Sequence, residues 1–256
     1  MSAEETGYPY LSIRIPVDEA FAGRVVARLG GSPFDGTRHF PEGVKPVDFL
    51  VGGYALEFKT LEQEPLTVPG RGEKMADFVL AKAIAGEADA QGSTIQLSGQ
   101  ASQEYWRKFL GVSVRRQLET AAKQIRSTRE FLGQPLRGAV FLVNVAAPFV
   151  DAVSFPNLIA AHHRDFCDAI DLVFYLSMIP GVVPSVPGKA AIPFGFHPEY
   201  TAHDPFAHRF MDALQIEMSA AIGNLSKPFN ATDHVIQPVR MPFVVPLKDG
   251  GFLNIH

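Results

Sequence analysis

The chain of 256 residues is long enough to bury a sizeable core, and 46% hydrophobic with 20% charged residues is globular rather than disordered composition. A formal net charge of -4 excludes a surface coated in positive charge, so any contact with a polyanion must come from a local basic patch. The single cysteine, Cys167, excludes an internal disulfide framework and a thiolate-rich zinc site; its ordinary role is a small buried apolar residue.

The leading MSAEETGYPY carries acidic residues where a secretory signal needs a basic region and an apolar run. No stretch approaches the roughly 18 apolar residues of a membrane span, so a soluble, cytoplasmic protein with no membrane partner is expected. Residues 18–30 place Phe21, Val25, Val26 and Leu29 at helical spacing, with Asp18 as N-cap and Gly30-Gly31 as a stop. A turn-rich stretch then leads into VDFLV, Gly52-Gly53 and YALEFKT, a hairpin signal, since paired glycines supply the positive dihedrals of a type I′ turn.

Residues 61–103 read as an insertion, with Pro65, Pro69, Gly70 and Gly72 in a loop before a helix around 73–85. From 104 to 132 the pattern is helical, with Leu118, Ala121, Ala122, Ile125 and Phe131 as an apolar stripe and Gly111 as a break. GAVFLVNV at 138–145 and DLVFYLSMI at 171–179 have the length and composition of buried strands, separated by a helix around 155–168. After Pro180 the chain turns proline-rich, with a helix at 205–222. The expected organisation is therefore an α/β core over 1–180 and a C-terminal appendage, 181–256, packed on it.

The turn fixes the expected register of the hairpin: Val51 faces Tyr54, Leu50 faces Ala55, Phe49 faces Leu56, Asp48 faces Glu57, and Val47 faces Phe58. By alternation Val47, Phe49, Val51, Tyr54, Leu56 and Phe58 point to the core, while Asp48, Leu50, Ala55, Glu57 and Lys59 share the other face. Two carboxylates opposed at a Cβ separation of about 4.5–5.5 Å repel unless something positive lies between them. A divalent cation resolves the conflict. Magnesium takes oxygen ligands and keeps several waters, so two carboxylates, water and a substrate phosphate make a reasonable site, with Lys59 free to handle the water or the phosphate.

Pro46-Val47-Asp48 followed by Glu57-Phe58-Lys59 resembles the motif of the PD-(D/E)XK, or restriction-endonuclease-like, nuclease superfamily. The resemblance covers roughly residues 18–180. It implies a mixed central sheet flanked by helices, with the aspartate and the Glu-x-Lys on neighbouring strands, then a helix, then a return to the sheet. It further implies a Mg2+- or Mn2+-dependent nuclease acting on DNA rather than RNA, with Asp48 and Glu57 on the metal. The family often adds an acidic residue from its first helix, for which Glu19 is the best match, and a glutamine or basic residue from the later helix, for which Gln117 and Gln124 lie seven apart on one face with Lys123 beside them. The plain alternatives are a solvent-facing hairpin with a Glu57–Lys59 surface pair, a helix-start charge at Glu19 and solvated glutamines.

Between 104 and 137 eight basic residues, among them Arg115, Arg116, Lys123 and Arg126, stand against Glu104, Glu119 and Glu130. A basic helix beside a metal site is the expected way to hold a nucleic acid there, the alternative being a solvated amphipathic face. Trp106 and Tyr105 read as core anchors before stacking platforms. His162, His163, Asp165 and Asp168, with His197, His203 and His208, fit no zinc spacing and read as surface or hydrogen-bonded histidines. The rival from another class is a non-catalytic binding or assembly module of the same fold, and the appendage offers a surface for a homodimer contact.

Overall fold

The computed structural model describes residues 16–34, 40, 45–62, 70–91, 94–145, 154–178, 181–182, 190–191, 194–197, 204–223, 243–246 and 252–255. The turn signals at 35–39 and 41–44, the proline loop at 63–69, most of the proline-rich stretch at 180–200 and His203 lie outside the described residues.

Helix α1 (Glu19–Arg28) starts where its cap residue stands: Asp18 Oδ1 accepts the Phe21 N–H at 2.8 Å. Its stripe of Phe21, Ala22, Val25 and Val26 is fully buried, and Gly30, at φ 74°, turns the chain out. Asp18→Ala is expected to cost about 1 kcal/mol, read as a lower urea midpoint at unchanged slope. Strand β1 (Ser32–Pro33) pairs antiparallel with β2 (Phe49–Val51), and β2 pairs antiparallel with β3 (Tyr54–Leu61) across Gly52 and Gly53, both at positive φ. The ladder has the expected register over Val51↔Tyr54, Leu50↔Ala55 and Phe49↔Leu56.

The expected alternation stops at Asp48. The chain bends there, so Val47 leaves the Phe49 side, packs on the opposite face of the sheet and donates its N–H to Thr128 Oγ1 at 3.1 Å. Between β3 and the long helix come α2 (Arg71–Ile84), the hairpin β4 (Ala88–Gln91) and β5 (Thr94–Leu97), and α3 (Gly99–Tyr105). Met75, Phe78, Val79, Tyr105 and Phe109 close a small core of their own. A π-helical stretch, Trp106–Leu110, ends with the Gly111 N–H reaching back to Trp106 O at 2.8 Å, and α4 (Val112–Leu132) follows. Gly111 stands at that break, and a Cβ there would collide with His162 Nε2. Phe131, expected in the apolar stripe, is exposed at the end of α4 and packs its ring on Phe40.

The apolar runs form β6 (Arg137–Asn144) and β7 (Leu172–Ser177), joined through α5 (Ser154–His163) and parallel to each other and to β3. Burial on both faces explains their unbroken hydrophobicity. The short pair β8 (Gly181–Val182) and β9 (Ala190–Ala191) precedes β10 (Phe194–His197), which adds antiparallel to β7 and completes a mixed six-stranded sheet, β1-β2-β3-β6-β7-β10. Helices flank it. On one face α1 and α6 (Pro205–Gly223) cover Phe49, Val51, Tyr54, Leu56, Phe141 and Phe174; on the other α4 and α5 cover Ala55, Leu61, Val140, Leu142 and Val173.

Residues after 180, expected as an appendage, thus contribute an edge strand and a core-covering helix. Glu217 of α6 receives Arg24 and Arg28 of α1 at 3.0 and 2.5 Å, tying the two helices together. Strand β12 (Phe252–Ile255) pairs parallel with β5 and antiparallel with β11 (Phe243–Pro246), giving a second sheet, β11-β12-β5-β4. Among the described residues no helix is long and apolar enough to cross a membrane.

Candidate metal and catalytic site

Because Glu57 and Lys59 alternate with Leu56 and Phe58, they share the face of β3 that α4 covers. The hairpin is therefore not a solvent-facing one. Glu57 is 0% exposed and the Lys59 side chain 14%, while Asp48 is half-buried at the bend before β2.

Asp48 and Glu57 do not meet as simple ladder partners, since the ladder ends one pair earlier. Instead each carboxylate grips the other strand's backbone: Asp48 N–H donates to Glu57 Oε2 at 3.2 Å, and Phe58 N–H donates to Asp48 Oδ2 at 2.8 Å. The remaining Glu57 oxygen, Oε1, accepts a short hydrogen bond from Lys59 Nζ. Lys59 Nζ also donates to Gln124 Oε1 at 2.9 Å, and Gln124 Nε2 donates to Pro46 O at 2.9 Å. Gln124 thus links the Pro46-Val47-Asp48 segment to β3 from α4. Gln117, one heptad earlier, donates to Thr60 O at 3.2 Å.

Burial, and after it the charge of Asp48, pushes the Glu57 carboxyl up to about 7, against the pull of Lys59 and the Asp48 N–H. The site thus holds two carboxylates that are poorly compensated by one ammonium. Its donor set fits a divalent ion of the magnesium type, which binds through one or two carboxylates and retains water. Among the described residues no group of three His, Cys, Asp or Glu side chains comes together, so Glu19, exposed in the first turn of α1, does not complete a ligand triad as expected.

The basic residues expected on nucleic acid separate into different surroundings. Lys123 pairs with Glu119 one turn away at 2.9 Å, and Arg126 makes a bidentate pair with Asp168. Arg116 is exposed, while Arg115 lines a groove against α5 with Arg107 and Arg164. His163 Nε2 lies 2.7 Å from Ile170 O, as a structural histidine would, but His162 is buried with neither ring nitrogen partnered among the described residues. Cys167 is exposed, not buried as expected.

Thr128 and the Pro46 carbonyl are members of the site that sequence reasoning misses. A signal for Thr128 exists, because together with Gln117 and Gln124 it makes a line of polar residues along the apolar stripe of α4. Comparison with known proteins gave no matching family model, no matching curated protein and no matching solved structure.

Proposed function

We propose that the chain is a divalent-metal-dependent nuclease with a restriction-endonuclease-like core, hydrolysing phosphodiester bonds in DNA. The observation that carries this reading is the contact between Lys59 and Gln124, which joins Asp48, Glu57, Lys59 and a glutamine of the following helix in one hydrogen-bonded group. That is the set the motif resemblance implies. The order of a hairpin, a helix across it and a parallel return strand supports it too. The choice of DNA over RNA rests on the resemblance.

In this reading Asp48 and Glu57 hold Mg2+ or Mn2+, which when bound supplies Lewis acidity and a more acidic water. Asp48 is fixed by the Phe58 N–H, so its second oxygen is presented without loss of side-chain freedom on binding. Lys59 leaves Glu57 to place its ammonium on the water or on a phosphate oxygen, and Gln124 keeps it aimed during that change.

The rival, a non-catalytic binding module, draws on the complete burial of Glu57 and on the lack of a third ligand among the described residues. A panel of supercoiled, linear and single-stranded DNA and of RNA, incubated with Mg2+ or Mn2+, separates the two. Cleavage that a chelator and Asp48→Asn both abolish is expected. No cleavage, together with no saturable metal binding by calorimetry, would establish the binding module instead.

A further inference from the structure

Away from the hairpin, the π-helical stretch, the start of α4 and helix α5 border a groove of about 1200 Å³. Four cations line it, Arg107, Lys108, Arg115 and Arg164, against one carboxylate, Glu104, which Lys82 already holds at 2.9 Å. In a chain of net charge -4 this is a concentrated positive site. Arg107, Arg115 and Arg164 have no ion-pair partner among the described residues, unlike Lys123 and Arg126 of the same basic segment.

A buried histidine stands behind the groove wall. His162 is only 2% exposed, pressed against Gly111, and both ring nitrogens lack hydrogen-bond partners among the described residues. Both nitrogens are closed to the groove, so the ring packs behind the wall and the exposed arginines in front of it are the groups a ligand would meet. Burial and then the charges of Arg107 and Arg115 push its imidazole down to about 4, so the ring adds no charge to the groove near neutral pH. Ala160 and Ala161 form part of the groove's α5 wall, and the several separate guanidinium groups match the repeated charges of a chain of phosphates. A π-helical stretch at its wall is a further mark, since such stretches occur often at functional sites.

We propose that this groove docks the sugar-phosphate backbone of a nucleic acid, gripped by Arg107, Arg115 and Arg164. The inference rests on the polynucleotide substrate of the reading above but not on metal chemistry, so binding and cleavage fail separately. Contacts here would fix where the substrate lies and carry no base information.

The test is fluorescence anisotropy with labelled single- and double-stranded DNA and RNA, in chelator, across a salt series. Arg115→Ala with Arg164→Ala is expected to weaken binding about tenfold and to flatten the salt slope by about one per lost phosphate contact. Lys123→Ala with Arg126→Ala is expected to bind like wild type. The three arginines are exposed, and Arg164→Gln alone serves should the double variant fold poorly. Absence of binding by wild type, or wild-type affinity in the Arg115/Arg164 variants, would overturn the proposal whatever the cleavage panel shows.

Discussion

Lys59→Met is expected to lower the rate of metal-dependent cleavage by about 10²–10⁴-fold, the range for losing a positioned proton-handling or charge-stabilising group. Methionine keeps the unbranched stem that lies along β3 under α4 but neither donates nor carries charge. Metal affinity should hold or rise, because the substitution removes the cation that otherwise competes for Glu57. That pairing of outcomes distinguishes a chemical role from a structural one: a lysine that merely held the hairpin together would lose metal binding and activity alike. Removing one partner of a buried ion pair is destabilising by about 3–5 kcal/mol when the other stays charged. Assays at pH 8 in saturating Mg2+ limit that loss, because a cation held by Glu57 would replace the missing ammonium. Cleavage within a few-fold of wild type would remove Lys59 from the mechanism.

The parts of this architecture visible in the sequence are those set by neighbours along the chain. Gly52 and Gly53 dictate a turn, the turn dictates a register, and the register holds for three pairs. Asp18 caps the helix it precedes. The features that escape depend on distant segments. Simple alternation puts Val47 on the wrong face, because it does not foresee the bend at Asp48, where the Phe34 N–H takes the backbone carbonyl. Strand β10 is invisible because FGFH is short and glycine-bearing; Gly195 is needed where a Cβ would meet Tyr175 Oη at 2.5 Å, a contact made across the sheet. The role of α6 follows from Phe206 and Phe210 stacking on Tyr54 and Phe174, residues far off in sequence.

The same division runs through the candidate site. Glu57 and Lys59 are legible as a pair, and Gln124 from its helical spacing and the resemblance, but their burial under α4 is not, since a polar face on a hairpin looks identical whether water or a helix covers it. The basic patch is legible only as a sum. Arg126 and Arg115 look alike in sequence; Asp168 neutralises one, and α5 brings Arg164 and His162 to the other.

Glu57→Gln is expected to make the metal-free protein more stable than wild type above pH 7 and less pH-dependent below it. Burial and the charge of Asp48 raise the Glu57 carboxyl to about 7 in the folded state, against 4.5 for an unperturbed glutamate. Between those values the folded chain binds the proton and the unfolded chain does not, so stability falls as pH rises through the window and stays lowered above it. The full effect is on the order of 3 kcal/mol at about 1.4 kcal/mol per pH unit. The substituted amide keeps an oxygen for Lys59 and carries no charge for Asp48 to repel, while its NH2 gives up the weaker, 3.2 Å hydrogen bond from the Asp48 N–H, a loss of about 1 kcal/mol that is the same at every pH. His162 and His163, whose imidazoles burial holds below the usual range, act in the opposite sense, favouring the folded state as pH rises. The quantity to measure is therefore the difference between wild type and variant, from urea unfolding in chelator at pH 5, 6, 7 and 8, in which the histidine contributions cancel. A difference that swings towards the variant across this range identifies Glu57 as a carboxylate held in wait for a cation. Mg2+ should then raise the wild-type midpoint at pH 8 and leave that of Glu57→Gln little changed. A flat difference would mean that Lys59 and the Asp48 N–H already compensate the buried charge, and the electrostatic case for a metal between Asp48 and Glu57 would go with it.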